Sequence, residues 1–261
     1  MFMSFFGILV MVFGVFVSYY NTFPAKVSNI TLSDGTGSVV FVSMSHIATP
    51  EFFSQQNTRI RSLASSGYTI LMEGVHAGTP ENHEKFDRYM GLHFTESLYS
   101  TLASITGLAS QDVDILYSGV STGSLQSVDL SVDEIVSLID PVSAPLDGPV
   151  IDLESELADM TGTLSKRDQY LLHFVSRGLL NWSLSHTHEI EGVLREGTMS
   201  PVFTVILQKR NDPIIEYIRT HPGQKIAVVY GALHFNGIYE GLQKISPQWH
   251  IQFQENITPY Q

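Results

Sequence analysis

Cysteine is missing from all 261 residues, which excludes disulfides and thiolate-bound metal sites from the outset. Any metal would have to be held by His, Asp, Glu or backbone oxygen, a set suited to a hard or borderline divalent ion. Basic residues are scarce too: 14 Lys and Arg stand against 26 Asp and Glu, giving a formal net charge of -12. A surface of that sign repels phosphate backbones, so nucleic acid is not an expected partner. Charge of either sign is lacking from Met1 to Tyr20, and no Lys or Arg precedes Lys26.

That uncharged opening is dominated by Phe, Val, Leu, Ile and Met, and as a helix it spans about 30 Å, enough to cross a bilayer. It reads as a membrane segment or a signal peptide. A cleaved signal wants a basic start and small residues before the cut, and Val17 to Ala25 offers no small-x-small site. Residues 1–25 are therefore expected to be an uncleaved single-pass anchor. The membrane becomes an expected partner, with the remaining chain on the extracytoplasmic side. Residues 26–261 suffice for one domain with a substantial core.

What is present comes as apolar runs with clear punctuation. Val27 to Leu32 alternates apolar and polar residues, Asp34-Gly35-Thr36-Gly37 is a turn, and Ser38 to Met44 is a second strand, a hairpin pattern. That strand ends at Ser45-His46. Thr49-Pro50-Glu51 then starts a helix, expected over Pro50 to about Ser65 and stopping at Gly67. Tyr68 to Met72 is another apolar run, ending at Glu73-Gly74, and strand, helix, strand makes a parallel crossover. Thr79-Pro80-Glu81 repeats the helix-start signal.

The middle of the chain reads as helical. Leu98, Leu102 and Ile105 fall at helical spacing within Tyr89 to Leu108, and Ser131 with Glu134 forms a capping box ahead of Ile135. Pro141 to Pro149 is a loop. Ser165 to Leu180 is a further helix, with Tyr170, Leu171, Phe174 and Val175 as its expected buried side. With no second strong strand between Glu73 and Phe203, residues from about 80 to 200 are expected to form a mainly helical insertion or cap. Met199 to Gln208 is apolar and open between helix and strand, and Asp212-Pro213 starts a short helix to Arg219. Ile226 to Tyr230 is an unbroken apolar run, the mark of a strand covered on both faces; it goes into Gly231 and His234, and a helix over Gly237 to Lys244 follows.

The expected fold is thus α/β: a mixed, largely parallel central sheet flanked by helices, with a helical insertion and an N-terminal transmembrane helix. Ligands of such sheets sit beyond the carboxyl ends of the strands. Three strands end in His46, Glu73 and His234. A lone histidine is more often structural than functional, but two imidazoles and a carboxylate together make a ligand set for a divalent metal with open positions. They equally make a metal-free acid/base set, and spacing leaves the two open.

Ser43-Met44-Ser45-His46, the strand-end Glu73, Arg210-Asn211 before a helix, and Gly231-Ala232-Leu233-His234 together resemble the TraB/PrgY/GumN family, which includes the Tiki peptidases. Gly107 to Gln111 and Val128 to Ser131 are similar to its middle-region signatures. The one departure is Ser43, where the family usually has glycine. The resemblance implies a domain related to the erythromycin esterase-like and haem-uptake folds. It also implies metal-dependent peptide cleavage with manganese or cobalt, or zinc, as the ion. Carried over by position, His46 and His234 become metal ligands or acid/base groups, and Glu73 the third ligand or the base that activates water. Arg210 stabilises an oxyanion or a substrate carboxylate, or else ties helix to sheet. Asn211 reads as a turn or capping residue.

The expected function is therefore a membrane-anchored metal-dependent hydrolase acting on peptides or proteins. The alternative is a membrane protein that sequesters a peptide or pheromone without cutting it, as the PrgY branch suggests. Other candidates carry plainer readings: His76 as a loop histidine, His186 and His188 as solvated, and Asp152, Glu154, Glu156 and Asp159 as an exposed charged helix start. Asn29, Asn181 and Asn256 each open an Asn-x-Ser/Thr glycosylation pattern.

Overall fold

The hairpin closes on Asp34, whose Oδ1 accepts from the Thr36 and Gly37 N–H groups at 2.9 and 2.7 Å, while Gly35 takes φ +88°. The computed structural model describes residues 2–95, 97–146, 148–196 and 200–261. The chain runs α1 (Phe2–Thr22), β1 (Val27–Ser33), β2 (Ser38–Met44), β3 (Ile47–Ala48), α2 (Pro50–Ser65), β4 (Thr69–Met72), α3 (Pro80–Met90), α4 (Leu98–Thr106), β5 (Ala109–Ser110) and α5 (Val113–Leu116). It continues through β6 (Leu125–Ser127), α6 (Val132–Ile139), α7 (Leu153–Gly162), α8 (Lys166–Ser185), α9 (Thr187–Glu196), α10 (Ser200–Leu207), α11 (Asp212–Thr220), β7 (Lys225–Gly231), α12 (Phe235–Ile245) and β8 (His250–Ile257).

Six strands form one mixed sheet in the order β6-β4-β7-β2-β1-β8. The inner pairs β2–β7, β4–β7 and β4–β6 are parallel; β1 pairs antiparallel with β2 and with β8. Strand alternation splits the core in two. Val40, Val42, Ala227 and Val229 face α2, while Val39, Phe41, Val228 and Tyr230 face α11 and α12. A third cluster, built from Tyr89, Val132, Ile135, Ile139 and Val202, holds α3, α6 and α10 together as a cap. Capping signals act as the sequence predicts: Thr49 caps α2, Thr79 caps α3, and Ser131 with Glu134 closes a capping box on α6.

The N-terminal expectation is corrected. Among the described residues no helix is long and apolar enough to cross a membrane. That overturns the transmembrane helix, the single-pass anchor, the membrane as partner and the extracytoplasmic placement resting on them. The last turns of α1 pack one face on the domain, while Val10 to Val15 are mostly exposed. Val17 is 1% exposed and abuts Gly178 of α8, where a Cβ would meet Val17 Cγ1 at 2.8 Å. Asn21 Nδ2 donates to Phe174 O at 2.8 Å, and the Ala25 N–H donates to Asn181 Oδ1 at 2.9 Å.

The same packing overturns the expected face of α8. Tyr170 and Leu171 are 76% and 61% exposed, and Phe174 is exposed with them. The packed side carries Gly178, which admits α1, and Arg177, whose Nε donates to Thr106 O at 2.8 Å and whose Nη2 donates to Gly107 O. A cation on the carbonyls ending α4 outweighs apolar periodicity here. Tyr89 to Leu108 breaks into α3 and α4 at Gly91, which sits at φ +66°. The middle region also supplies a strand: β6, too short and too polar to read as an apolar run, pairs with β4. Residues 200–207 resolve as helix, and Met199 lies outside the described residues. The edge strand β8 was not expected at all.

Candidate functional site

Register brings the three strand ends together. Met44 of β2 sits opposite Gly231 of β7, Met72 of β4 sits opposite Val229, and the Glu73 N–H donates to Val229 O at 3.0 Å. His46, Glu73, Arg210 and His234 all line one cavity of about 690 Å³ between this edge and the helical cap. Its far wall is mainly apolar, with Phe86, Met90, Val132, Ile135, Phe203 and Ile206, and also carries His83 and Asp87. The volume falls in the usual range of small-ligand sites.

Glu73 is held on both oxygens: Oε1 accepts from Arg210 Nη2 at 3.1 Å, and Oε2 from the Gly231 N–H at 2.6 Å. Arg210 is 8% exposed and makes a two-point contact with buried Asp129, Nε to Oδ1 at 2.9 Å and Nη2 to Oδ2 at 2.5 Å. Asp129 also accepts from the N–H groups of Gly74 and Leu130 at 3.2 and 2.8 Å. Burial alone pulls the Arg210 pKa down. Hydrogen bonding and charge from Asp129, with Glu73 adding, hold it above its ordinary value.

His234 is 4% exposed. Its Nδ1 lies 2.8 Å from Asn211 Oδ1, and the orientation of that amide is set by Asn211 Nδ2 donating to Leu207 O at 2.8 Å. Nδ1 therefore carries the proton and Nε2 is left with its lone pair, 3.6 Å from Glu73 Oε1. Burial lowers the His234 pKa; Glu73 works against this and Arg210 adds to it. His46 stacks on Tyr99 with centroids 4.3 Å apart. Its pKa is lowered by burial first, with Glu73 opposing and Arg210 adding. The ring is open to the cavity.

Among the described residues no group of three or more His, Asp or Glu side chains is arranged to hold a metal ion. Glu73 spends its oxygens on Arg210 and Gly231. The metal-dependent peptidase and its metal-binding description are corrected accordingly.

Arg210 is the helix-to-sheet tie. Asn211 makes no side-chain cap on α11 and orients His234 instead. Asp129, Asn211, Tyr99 and Tyr260 are site residues that sequence reasoning did not choose; Asp129 and Asn211 carried a signal, within the Val128 to Ser131 and Arg210-Asn211 segments. Ser43 turns away from the cavity. Its N–H donates to Asn29 Oδ1 at 3.0 Å and its Oγ to Ser28 O at 2.5 Å, and among the described residues none other than glycine has positive φ.

His76 lies exposed at the rim, 3.2 Å from Ser127 Oγ. His186 stacks on Trp182 and accepts no solvated-loop description, while the side chain of His188 lies outside the described residues. Glu154 accepts from Thr95 and Ser97 at 2.6 and 2.7 Å and so ties α7 to the start of α4. Asn29 and Asn181 are buried, so neither can carry a glycan in the folded chain. Compared with protein-family models, with curated proteins and with solved structures, the chain matches none.

Proposed function

We propose that this domain holds a short apolar peptide in the cavity between the sheet edge and the helical cap, and releases it uncut. The observation that carries this is the division of the cavity: a mainly apolar wall faces a polar end whose ionic groups are held in place by one another. Such a wall offers shape and burial to a ligand, and the paired groups offer orientation. The resemblance to the TraB/PrgY/GumN family, with Ser43 where the family usually has glycine, supports the same reading, since the PrgY branch of that family sequesters its ligand.

Titration calorimetry with short leucine-alanine peptides, followed by mass spectrometry of the recovered peptide, tests it. Binding without fragments is expected, and Ala77→Trp, which fills the cavity from its lining, should weaken binding. Fragments that accumulate with time would sink the holding function.

One observation favours a second reading, acid/base chemistry without metal: the fixed tautomer of His234 leaves Nε2 as a base beside Glu73. Peptide turnover that persists in strong chelator and vanishes in His234→Ala would establish it in place of the first.

A further inference from the structure

We infer that the polar end of the cavity receives a primary ammonium, the free amino end of the bound peptide. This rests on the peptide-holding function proposed above and names the chemistry that orients the ligand.

Charge comes first. All four oxygens of Glu73 and Asp129 accept hydrogen bonds, so both groups act as carboxylates, and a single guanidinium, Arg210, stands between them. The cluster therefore carries one negative charge in excess. His234, buried with its proton on Nδ1, adds none to offset it.

Hydrogen-bond direction points the same way. Nε2 of His234 and Oε1 of Glu73 are both acceptors, and 3.6 Å is too long for a bond between them. Two acceptors side by side call for a donor, and an ammonium brings three donors with a positive charge. A ligand carboxylate finds the opposite situation. Nε and Nη2 of Arg210 are engaged by Asp129 and Glu73, and the surplus charge repels it. Beyond this end the wall is mainly apolar, with His83 and Asp87 among its lining residues, and suits mostly uncharged side chains following the amine.

Four leucine-alanine tetrapeptides titrated into the intact chain decide the matter. One has a free amine and an amidated carboxyl end; one is acetylated and amidated; one is acetylated with a free carboxylate; and one is acetylated and amidated with a lysine at its first position. The free-amine peptide should bind about ten-fold tighter than the doubly blocked one, the size of one charge-assisted hydrogen bond. The lysine peptide separates an amino terminus from a side-chain ammonium: matching affinity would reassign the source of the amine.

Glu73→Gln should abolish the preference of the free-amine peptide over the doubly blocked one, and the circular-dichroism spectrum of the variant reports whether it is folded. Should that variant fail to fold, His234→Phe removes the second acceptor without touching the Arg210 cluster and should reduce the preference. Equal binding of the free and doubly blocked peptides, or tightest binding of the carboxylate peptide, overturns the ammonium site and leaves peptide holding intact. If none of the four binds, peptide holding itself is wrong.

Discussion

On the sheet side of the cavity, position is set by charge: Arg210 bridges Asp129 and Glu73, Gly231 anchors Glu73, and Asn211 anchors His234. On the cap side it is set by packing, with Val132, Ile135, Ile139 and Val202 gathered around Tyr89. A buried charge network fails all at once when one member goes, because the partners are left uncompensated. A packed helical cluster loosens by degrees and can open while the sheet stays folded. The sheet side is thus the fixed half of the site and the cap the half able to yield to ligands of different size.

The largest effect expected from breaking this contrast is on the sheet side. Arg210→Met strands the buried Asp129 and the half-buried Glu73 carboxylates and should cost about 3–5 kcal/mol, read from urea unfolding. A midpoint equal to that of the parent chain would mean that the network does not organise the edge. Next, Ile135→Ala opens a void in the cap and should cost about 2–4 kcal/mol within that unit. Hydrogen exchange should show faster amides in α3 and α6 with β2 and β7 unchanged. Equal loss of protection in both regions would erase the distinction between a fixed and a yielding half.

The sequence made the fixed half legible and the yielding half much less so. Strands buried on two faces announce themselves as β-branched runs, and Val39 to Val42 and Ile226 to Tyr230 do so. From their ends alone, His46, Glu73 and His234 could be placed at one edge, and the register confirms the placement. What escaped depends on partners distant in the chain. Asp129 follows a three-residue strand with no apolar run, and its role is fixed by Arg210, 81 residues away. The outward turn of Tyr170 and Leu171 follows from Gly178 admitting α1, and the anchor assigned to α1 ignored that its uncharged face could pack on protein. The metal was inferred from residue types. Arg210 and Gly231 occupying the Glu73 oxygens is a fact of geometry that types do not carry.

A smaller effect is expected at Asn211. Local reading made it a cap because it precedes a helix, but Gly237 of α12 shows its true constraint: a Cβ there would collide with Asn211 Nδ2. Glycine, unfavourable inside a helix, is kept so that the amide can reach both Leu207 O and His234. Asn211→Ala should cost about 1–3 kcal/mol by leaving buried polar groups unpaired, less than Arg210→Met because no charge is stranded. NMR should show the His234 ring losing its single Nδ1–H tautomer. An unchanged tautomer would mean that Glu73, not Asn211, fixes it.

The smallest effect, and the sharpest separation of the two halves, comes from pH. His234 on the sheet side is held below its ordinary pKa of 6.5 by burial. The unfolded chain therefore binds the extra proton first, and the stability this group contributes is present above 6.5 and lost as pH falls toward its folded value. His93, on the loop between α3 and α4, has the opposite shift: Nδ1 lies 2.5 Å from Asp87 Oδ2, and that hydrogen bond and charge raise its pKa above 6.5. Its contribution is present below 6.5 and lost as pH rises through the raised value. Acidification from about pH 7.5 to 5.5 should therefore weaken amide protection at the end of β7 while tightening the segment around Phe94, which lines the cavity beside Asp87. His93→Gln should remove the cap response and leave the β7 response in place. If both regions moved in the same direction with pH, the two halves would share one electrostatic network, and the cap would no longer count as the separately yielding side.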